Sequence, residues 1–177
     1  MIAKLFDIRE TKNKGLGLFA ITSIPAGTIV CFECDRCKKR TEEDITKLPK
    51  KELEWVLNYE YKDKTGLFSD VCDKTILFLN HSCNANTLYC DKGFDIVVKD
   101  IKKGEEATYD YRVFYDQLNM ICHCGEENCC KIVTCKHPIP KKLKQFWHEK
   151  IHSALKIVNT IEQPLKGTLV QNNVRYL

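Results

Sequence analysis

The sequence predicts an irregular, mainly β domain with short helices and a helical C-terminal extension. Three observations carry this: short β-rich runs broken by turn signals, only two stretches of helical periodicity, and a cysteine cluster late in the chain. A length of 177 residues fits one domain with a core of its own. The 44% hydrophobic and 29% charged fractions exclude a disordered, collagenous or fibrous chain.

Residues 2–30 read as short strands. Asn13-Lys14-Gly15-Leu16-Gly17 is a turn signal before the apolar run Leu18-Phe19-Ala20-Ile21, and Pro25-Ala26-Gly27 is a second before Thr28-Ile29-Val30-Cys31-Phe32. Thr41 with Asp44 three residues on resembles a capping box. Leu53, Val56 and Leu57 follow at helical spacing, and Pro49 divides that segment. Strands are expected again over residues 76–79, 94–99 and 107–111, the last after a Lys103-Gly104 turn. Over residues 141–161, Leu143, Phe146, Trp147, Ile151, Leu155, Val158 and Ile161 fall on one face of an amphipathic helix. No internal repeat or low-complexity segment interrupts this pattern.

The net charge of +4 is unevenly spread. In residues 131–177 nine Lys or Arg face two acids, a net of +7, whereas residues 1–130 hold 19 basic and 22 acidic side chains, a net of −3. An acidic body suits a basic substrate, and a basic tail suits proximity to nucleic-acid phosphate. The plainer reading of the tail is a solvated helix face.

Eleven cysteines are the compositional outlier. The opening MIAKLFDIRE lacks the apolar core of a secretory signal, and no run approaches the ~18 apolar residues of a membrane span. The expectation is an intracellular, reducing setting away from membranes, with thiols rather than disulfides. Cys122, Cys124 and Cys129 form a C-x-C-x4-C array suited to tetrahedral Zn²⁺, with Gly125 letting the chain fold back. Cys130, Cys135, His123 and Cys83 are all open as the fourth ligand, and a group of unpaired buried thiols is the alternative. Cys31, Cys34 and Cys37 make a weaker cluster, with Cys72 or Cys90 as partner. Strand alternation would set Cys31 and Cys34 on opposite faces, which favours small buried hydrophobes.

Two polar motifs complete the pattern. Leu79-Asn80-His81-Ser82-Cys83-Asn84-Ala85-Asn86 follows an apolar run, and Gly104-Glu105-Glu106-Ala107-Thr108-Tyr109-Asp110-Tyr111 sets two tyrosines on one side of a strand. In this order, Gly15-Leu16-Gly17, Asn80-His81-Ser82-Cys83, Glu105-Glu106 with Tyr109-Asp110-Tyr111, and the Cys122 array resemble the SET-domain protein lysine methyltransferases with a post-SET zinc motif. The likeness covers residues 8–133.

The resemblance implies a β-clip-like fold of small curved sheets with a pseudoknot, the NHSC segment passing beside the last strand. It divides the chain into a SET domain over 1–115 with a variable, groove-lining insert at 36–76, a post-SET zinc segment over 116–135, and a basic extension over 136–177. It implies a structural zinc on Cys83, Cys122, Cys124 and Cys129. S-adenosylmethionine would lie against Lys14, Gly15, Leu16, Gly17, Asn80, His81 and Tyr111, with Ile132 or Val133 over its adenine. Tyr111 would orient the attacking amine, and a tyrosine at position 109 implies a stop at mono- or dimethyl-lysine.

Free lysine has a pKa of ~10.4, which a narrow aromatic channel and a neighbouring sulfonium would lower. Histone tails are the first substrate class and chromatin the implied place. A non-histone protein substrate, or a catalytically weak SET fold serving as a protein-binding module, are the alternatives. Four positions depart from the family: Ala85 replaces a Pro, and Lys131 stands where Gly is common. Residues 76–79 are apolar where Arg often precedes Phe, and no Tyr-x-Gly-Glu run follows Thr28, which leaves Phe32 as the substitute aromatic.

Overall fold

The turn at residues 11–15 closes an antiparallel hairpin of β1 (Phe6–Glu10) and β2 (Leu16–Ala20), Phe6 facing Ala20 and Glu10 facing Leu16. Gly15 sits at φ +72°, a left-handed conformation that other residues adopt at a cost. Thr11 locks the turn: its N–H and hydroxyl donate to the Gly15 carbonyl at 2.7 and 2.8 Å. The coordinates are a computed structural model describing residues 1–32, 37–62, 65–71, 73–114, 118–136 and 138–167. Cys34, Cys72 and Arg175 lie outside the described residues.

Next come β3 (Ile29–Phe32), β4 (Lys39–Arg40), α1 (Glu42–Thr46) and α2 (Lys50–Tyr59). The capping box is present, Thr41 Oγ1 accepting from Asp44 N–H while Asp44 accepts from Thr41 N–H, and Pro49 separates the two helices. β5 (Tyr61–Lys62) and β6 (Phe68–Ser69) join β4 in a small sheet of order β4-β6-β5.

Residues expected as a strand at 76–79 instead enter a 3-10 helix, Lys74–Phe78. Its cap explains the difference. Asp73 accepts the Thr75 N–H at 3.2 Å through one oxygen, and through the other the distant Ile2 N–H, also at 3.2 Å.

β7 (Asn80–His81), β8 (Thr87–Cys90), β9 (Phe94–Val97) and β10 (Glu106–Tyr109) follow. They complete two sheets, β1-β2-β10-β7 and β3-β9-β8. β7 and β10 run parallel, Asn80 beside Thr108 and His81 beside Tyr109, so the NHSC segment and the last strand of the body lie side by side. β10 ends two residues short of the expected strand. Asp110 caps a 3-10 turn, Tyr111–Val113, by accepting the Arg112 N–H at 3.2 Å. β11 (Asn119–Ile121) and β12 (Ile132–Thr134) pair with each other, and α3 (Lys141–Ile157) continues into a 3-10 turn, Val158–Thr160.

The amphipathic stripe of α3 joins two apolar cores. Trp147, Leu143, Phe146 and Ile151 pack on Ala85 and Leu88, while Ala154 and Val158 pack with Ile29, Phe32, Phe94 and Ile96. Ala85, where the family often has Pro, thus lies under α3, 2% exposed. The Trp147 Nε1–H donates to Asp110 Oδ2 at 2.9 Å and fixes the helix to the residue before Tyr111. Trp147→Phe removes this donor to a carboxylate and leaves a smaller ring in the core, so it should destabilise the protein by at least about 1.5–3 kcal/mol. Urea denaturation reads the loss; an unchanged midpoint would contradict the bond's role.

Candidate active site and cysteine metal centre

The site is built around the β7–β10 pair. Tyr109, at the end of β10, stacks on Phe114 with ring centroids 5.8 Å apart. The 3-10 turn brings Tyr111 to the same ring at 5.5 Å, and Tyr61 of β5 approaches it at 6.3 Å. The four rings form one aromatic cluster that joins β5 to the end of β10 and the turn after it. Phe32 takes no part: it is buried with Phe94 and Ile29 in the second core. Tyr61 supplies the additional ring, and its two-residue strand carries no sequence signal for that. Phe114, three residues after Tyr111, likewise went unread.

The Tyr111 hydroxyl has its proton committed. It donates to the Leu79 carbonyl at 2.8 Å. Burial, with the nearby Glu106 carboxylate, raises its pKa to about 12, so the phenol stays protonated at neutral pH. Burial, then the negative charge of the Asp95 carboxylate, lifts Tyr109 well above the ordinary phenol range.

His81 is nearly buried, and its Nδ1 accepts the Tyr111 backbone N–H at 3.1 Å. Its remaining proton therefore sits on Nε2, 3.3 Å from Cys83 Sγ. Burial lowers its pKa below the usual imidazole value against the opposing pull of Asp110, which agrees with a neutral ring.

On the other side of the pair the residues expected to hold a cofactor converge. Asn80 Nδ2 donates to the Leu16 carbonyl and to Glu106 Oε1, each at 2.9 Å, and Lys14 Nζ contacts Glu106 Oε2 at 2.5 Å. Gly17 is required by proximity: a Cβ there would lie 2.7 Å from Glu106 Oε1 and 2.9 Å from Asn80 Nδ2. Glu106, which ties this cradle together, belongs to a motif already singled out, but its partners are visible only in three dimensions. Ile132 pairs with Ile121 across β11 and β12, and the two side chains are 53% and 67% exposed. Leu16, whose carbonyl Asn80 bonds, is exposed too and gives the cradle itself an apolar surface. Such surface beside polar backbone suits a small molecule with an apolar part.

The Sγ atoms of Cys83, Cys122, Cys124 and Cys129 all lie within 4.8 Å of one another. Cys83 and Cys122 are 3.8 Å apart, the sulfur–sulfur edge of ~3.8 Å that a tetrahedron with ~2.3 Å Zn–S bonds requires. Burial pushes the Cys122 thiol up to about 12 and the Cys83 thiol higher. Cys124 falls to about 7: burial acts to raise it, but backbone N–H groups of Cys83 and Glu126 outweigh that. Cys83 and Cys122, which resist ionisation, become thiolates in this cluster only with a cation among them, and the four-sulfur donor set fits zinc.

A second group, His81, Cys83, Cys122 and Cys130, is equally close-set. It fits less well, because Nδ1 of His81 is engaged and Nε2 carries the proton. Cys130 instead lies beside the quartet, its N–H donating to Cys83 Sγ at 3.3 Å. Cys135 donates its thiol proton to the Tyr111 carbonyl at 3.3 Å, and His123 is exposed, so neither joins a cluster. Cys31, Cys37 and Cys90 pack in the two main cores and belong to no metal-binding group among the described residues.

Lys131 explains why glycine is common at its position. It has φ +63°, the one non-glycine residue with positive φ among those described, at a cost of about 1–2 kcal/mol.

Asp110 links the metal centre to the aromatic cluster. It is 1% exposed and accepts from Arg112 Nη2 and Nε at 2.5 and 2.8 Å, while the same Nη2 donates to the Cys83 carbonyl at 3.2 Å.

Small sheets, a parallel pair uniting two polar motifs and a cysteine quartet define one class of protein. The model of the SET domain matches residues 15–112, more than half of the chain, and the chain belongs to the SET-domain family. It is 44% identical over 141 residues to "Histone-lysine N-methyltransferase, H3 lysine-36 specific" of Debaryomyces hansenii, covering 69% of this chain and 18% of that one. It is 26% identical over 148 residues to histone-lysine N-methyltransferase SUVR4 of Arabidopsis thaliana, covering 67% and 30%. The chain thus spans less than a third of either relative.

Among solved structures, the methyltransferase domain of human SETMAR superposes with a TM-score of 0.53 at 22% identity, covering 74% of this chain and 58% of that one. Arabidopsis thaliana SUVH6 in complex with SAM gives 0.54 at 21% identity, covering 75% and 33%. Both likenesses show the fold. No helix among the described residues is long and apolar enough to cross a membrane.

Proposed function

We propose that this chain is an S-adenosylmethionine-dependent protein lysine N-methyltransferase acting on extended basic segments, histone tails first, and stopping at mono- or dimethyl-lysine. One observation carries the reading: a single parallel strand pair joins the Asn80–Glu106–glycine cradle to the Tyr109–Tyr111 ring cluster. The family membership and the histone-lysine methyltransferase relatives support it.

When bound, S-adenosylmethionine supplies an electrophilic methyl on a sulfonium sulfur. Asn80, Lys14 and the backbone of Gly15, Leu16 and Gly17 hold that ligand, and Glu106, paired with Lys14 and Asn80, fixes those two side chains beside it. His81 acts from behind, fixing Tyr111 through its backbone N–H, and Ile132 offers apolar cover. The aromatic walls exclude water from the incoming side chain and favour its neutral amine. With its proton given to Leu79, the Tyr111 oxygen presents lone pairs that accept an amine N–H and aim the nitrogen. Positioning, rather than proton abstraction, is the contribution of this tyrosine. The quartet Cys83, Cys122, Cys124 and Cys129 holds a structural zinc that keeps β11 and β12 against the site.

An acidic body attracts a basic tail, and an extended peptide can lie along a sheet edge. The exposed lysines of α3, among them Lys141, Lys142, Lys144 and Lys156, suit the DNA that accompanies histones and support a chromatin setting. Cofactor binding tests the cradle. Asn80→Ala should leave the fold intact and weaken S-adenosylhomocysteine binding by about 10–100-fold in calorimetry, the worth of one or two buried hydrogen bonds. Unchanged affinity would remove the cradle from the account.

A further inference from the structure

We propose that the C-terminal helix α3 is part of the methyl-transfer apparatus, with Trp147 as a positioning residue that sets the rate by holding the turn that carries Tyr111. This rests on the methyltransferase reading above and gives a role to a helix that lies beyond the residues matched by the SET-domain model. Asp110 sits between the two tyrosines, and its buried carboxylate winds that turn, Oδ1 accepting the Arg112 N–H at 3.2 Å. Arg112 also grips the carboxylate through Nε and Nη2, but it belongs to the same turn and moves with it. Outside the turn, its Nη2 reaches the Cys83 carbonyl at 3.2 Å. The bond from Trp147 Nε1 to Oδ2 is the second outside tie: it is buried, 2.9 Å long, and comes from 37 residues away.

α3 makes another contact of this kind one turn on. Lys150 Nζ donates to Asn84 Oδ1 at 2.7 Å, and Asn84 donates from Nδ2 to Glu126 Oε2 at 3.2 Å. Asn84 follows Cys83 of the metal centre, and Glu126 lies within the cysteine array. Trp147 and Lys150, three residues apart, share one helix face. That face meets the chain just beyond both members of the parallel pair, at Asp110 after β10 and at Asn84 after β7. Trp147 and Ile151 also line a small cavity together with Tyr109 and Asp110, so the helix stands directly behind the tyrosine pair.

Packing alone does not call for this arrangement. Leu or Phe at position 147 would satisfy the apolar stripe, whereas an indole N–H aimed at a buried carboxylate adds orientation. His81 and Leu79 hold Tyr111 from the β7 side, and Trp147 holds its turn from α3. A misplacement of ~1 Å in an aiming group costs about 10²-fold in rate, so a turn loosened on one side should cost about tenfold. The cofactor cradle contains no partner of Trp147, and its affinity should not change.

The test replaces Trp147 with Phe and, separately, with its benzothiophene analogue, which keeps the bicyclic ring and lacks only the N–H. Methylation of histones, or of the lysate protein that the parent prefers, is followed at a temperature where circular dichroism shows each variant folded. In both variants kcat should fall about tenfold, while KM for the protein substrate and the affinity for S-adenosylhomocysteine stay within about twofold of the parent. In the Tyr111→Phe background the same replacements should add nothing. Val158→Ala opens a cavity in the second core away from the turn, and its kcat should match the parent despite lower stability.

A parent-like kcat in the benzothiophene variant, an undiminished loss in the Tyr111→Phe background, or the same fall in Val158→Ala would overturn the assignment. The analogue preserves packing, so it decides should Trp147→Phe fail to fold. Methyl transfer by the parent with kcat flat across the Trp147 variants fails Trp147 alone. No transfer by the parent to any histone or lysate protein fails the methyltransferase reading as well.

Discussion

Tyr111→Phe should bind S-adenosylmethionine as the parent does and lose about 10³-fold in kcat, the scale of a lost positioning and electrostatic contact. The ring, its contact with Phe114 and the backbone bond to His81 all remain. What disappears is an oxygen held by the Leu79 carbonyl, and with it the acceptor that aims the amine. The lost hydrogen bond should lower stability by only about 1 kcal/mol. Calorimetry for the cofactor and a radiolabel assay for turnover separate the two effects. Parent-like turnover would take the catalytic role away from Tyr111.

Metal removal should have the largest effect on stability. The purified protein should carry one zinc, and a chelator should lower its stability by about 5 kcal/mol or more, a fraction of the ~10–16 kcal/mol seen for structural zinc in small domains. For a domain of this size that is a fall of at least about 10 °C in Tm. The loss should spread to the cofactor cradle, because Cys83 directly follows the Asn80-His81-Ser82 run and its carbonyl accepts from both Arg112 and Asn128. The pH dependence has a definite sign. Each ligating thiol must release its proton, and buried Cys83 and Cys122 hold theirs tightly, so protons compete with zinc and the metal's contribution falls as pH falls. Cys129→Ser should reproduce the chelator's effect without it. A metal-free protein with an unchanged melting curve would identify the quartet as ordinary buried thiols.

Local chemistry was legible in the sequence wherever partners are near in the chain. The Thr41–Asp44 capping box, the break at Pro49 and the stripe of α3 were all readable from spacing. The run at residues 76–79 was not, because the cap that winds it into a 3-10 helix also bonds Ile2, 71 residues away. Strand alternation set Tyr109 and Tyr111 on one face, but Asp110 ends the strand between them, and the two rings reach Phe114 by different routes.

Cysteine spacing pointed to a metal and left four residues open for its last position. The likeness to the SET family singled out Cys83, and the distances now support that choice physically. Tyr61 and Glu106 could not be read: each acts through partners on other strands, and neither belongs to a spacing that chemistry alone would require.

The most direct test of the whole account is the mass of a lysine. Incubated with S-adenosylmethionine and histones, the zinc-loaded protein should add methyl groups to lysine, found by peptide mapping as mono- or dimethyl-lysine and absent with Tyr111→Phe. Cofactor binding in calorimetry with no methyl-lysine formed on any histone or lysate protein would contradict the account and leave a SET fold that binds without transferring.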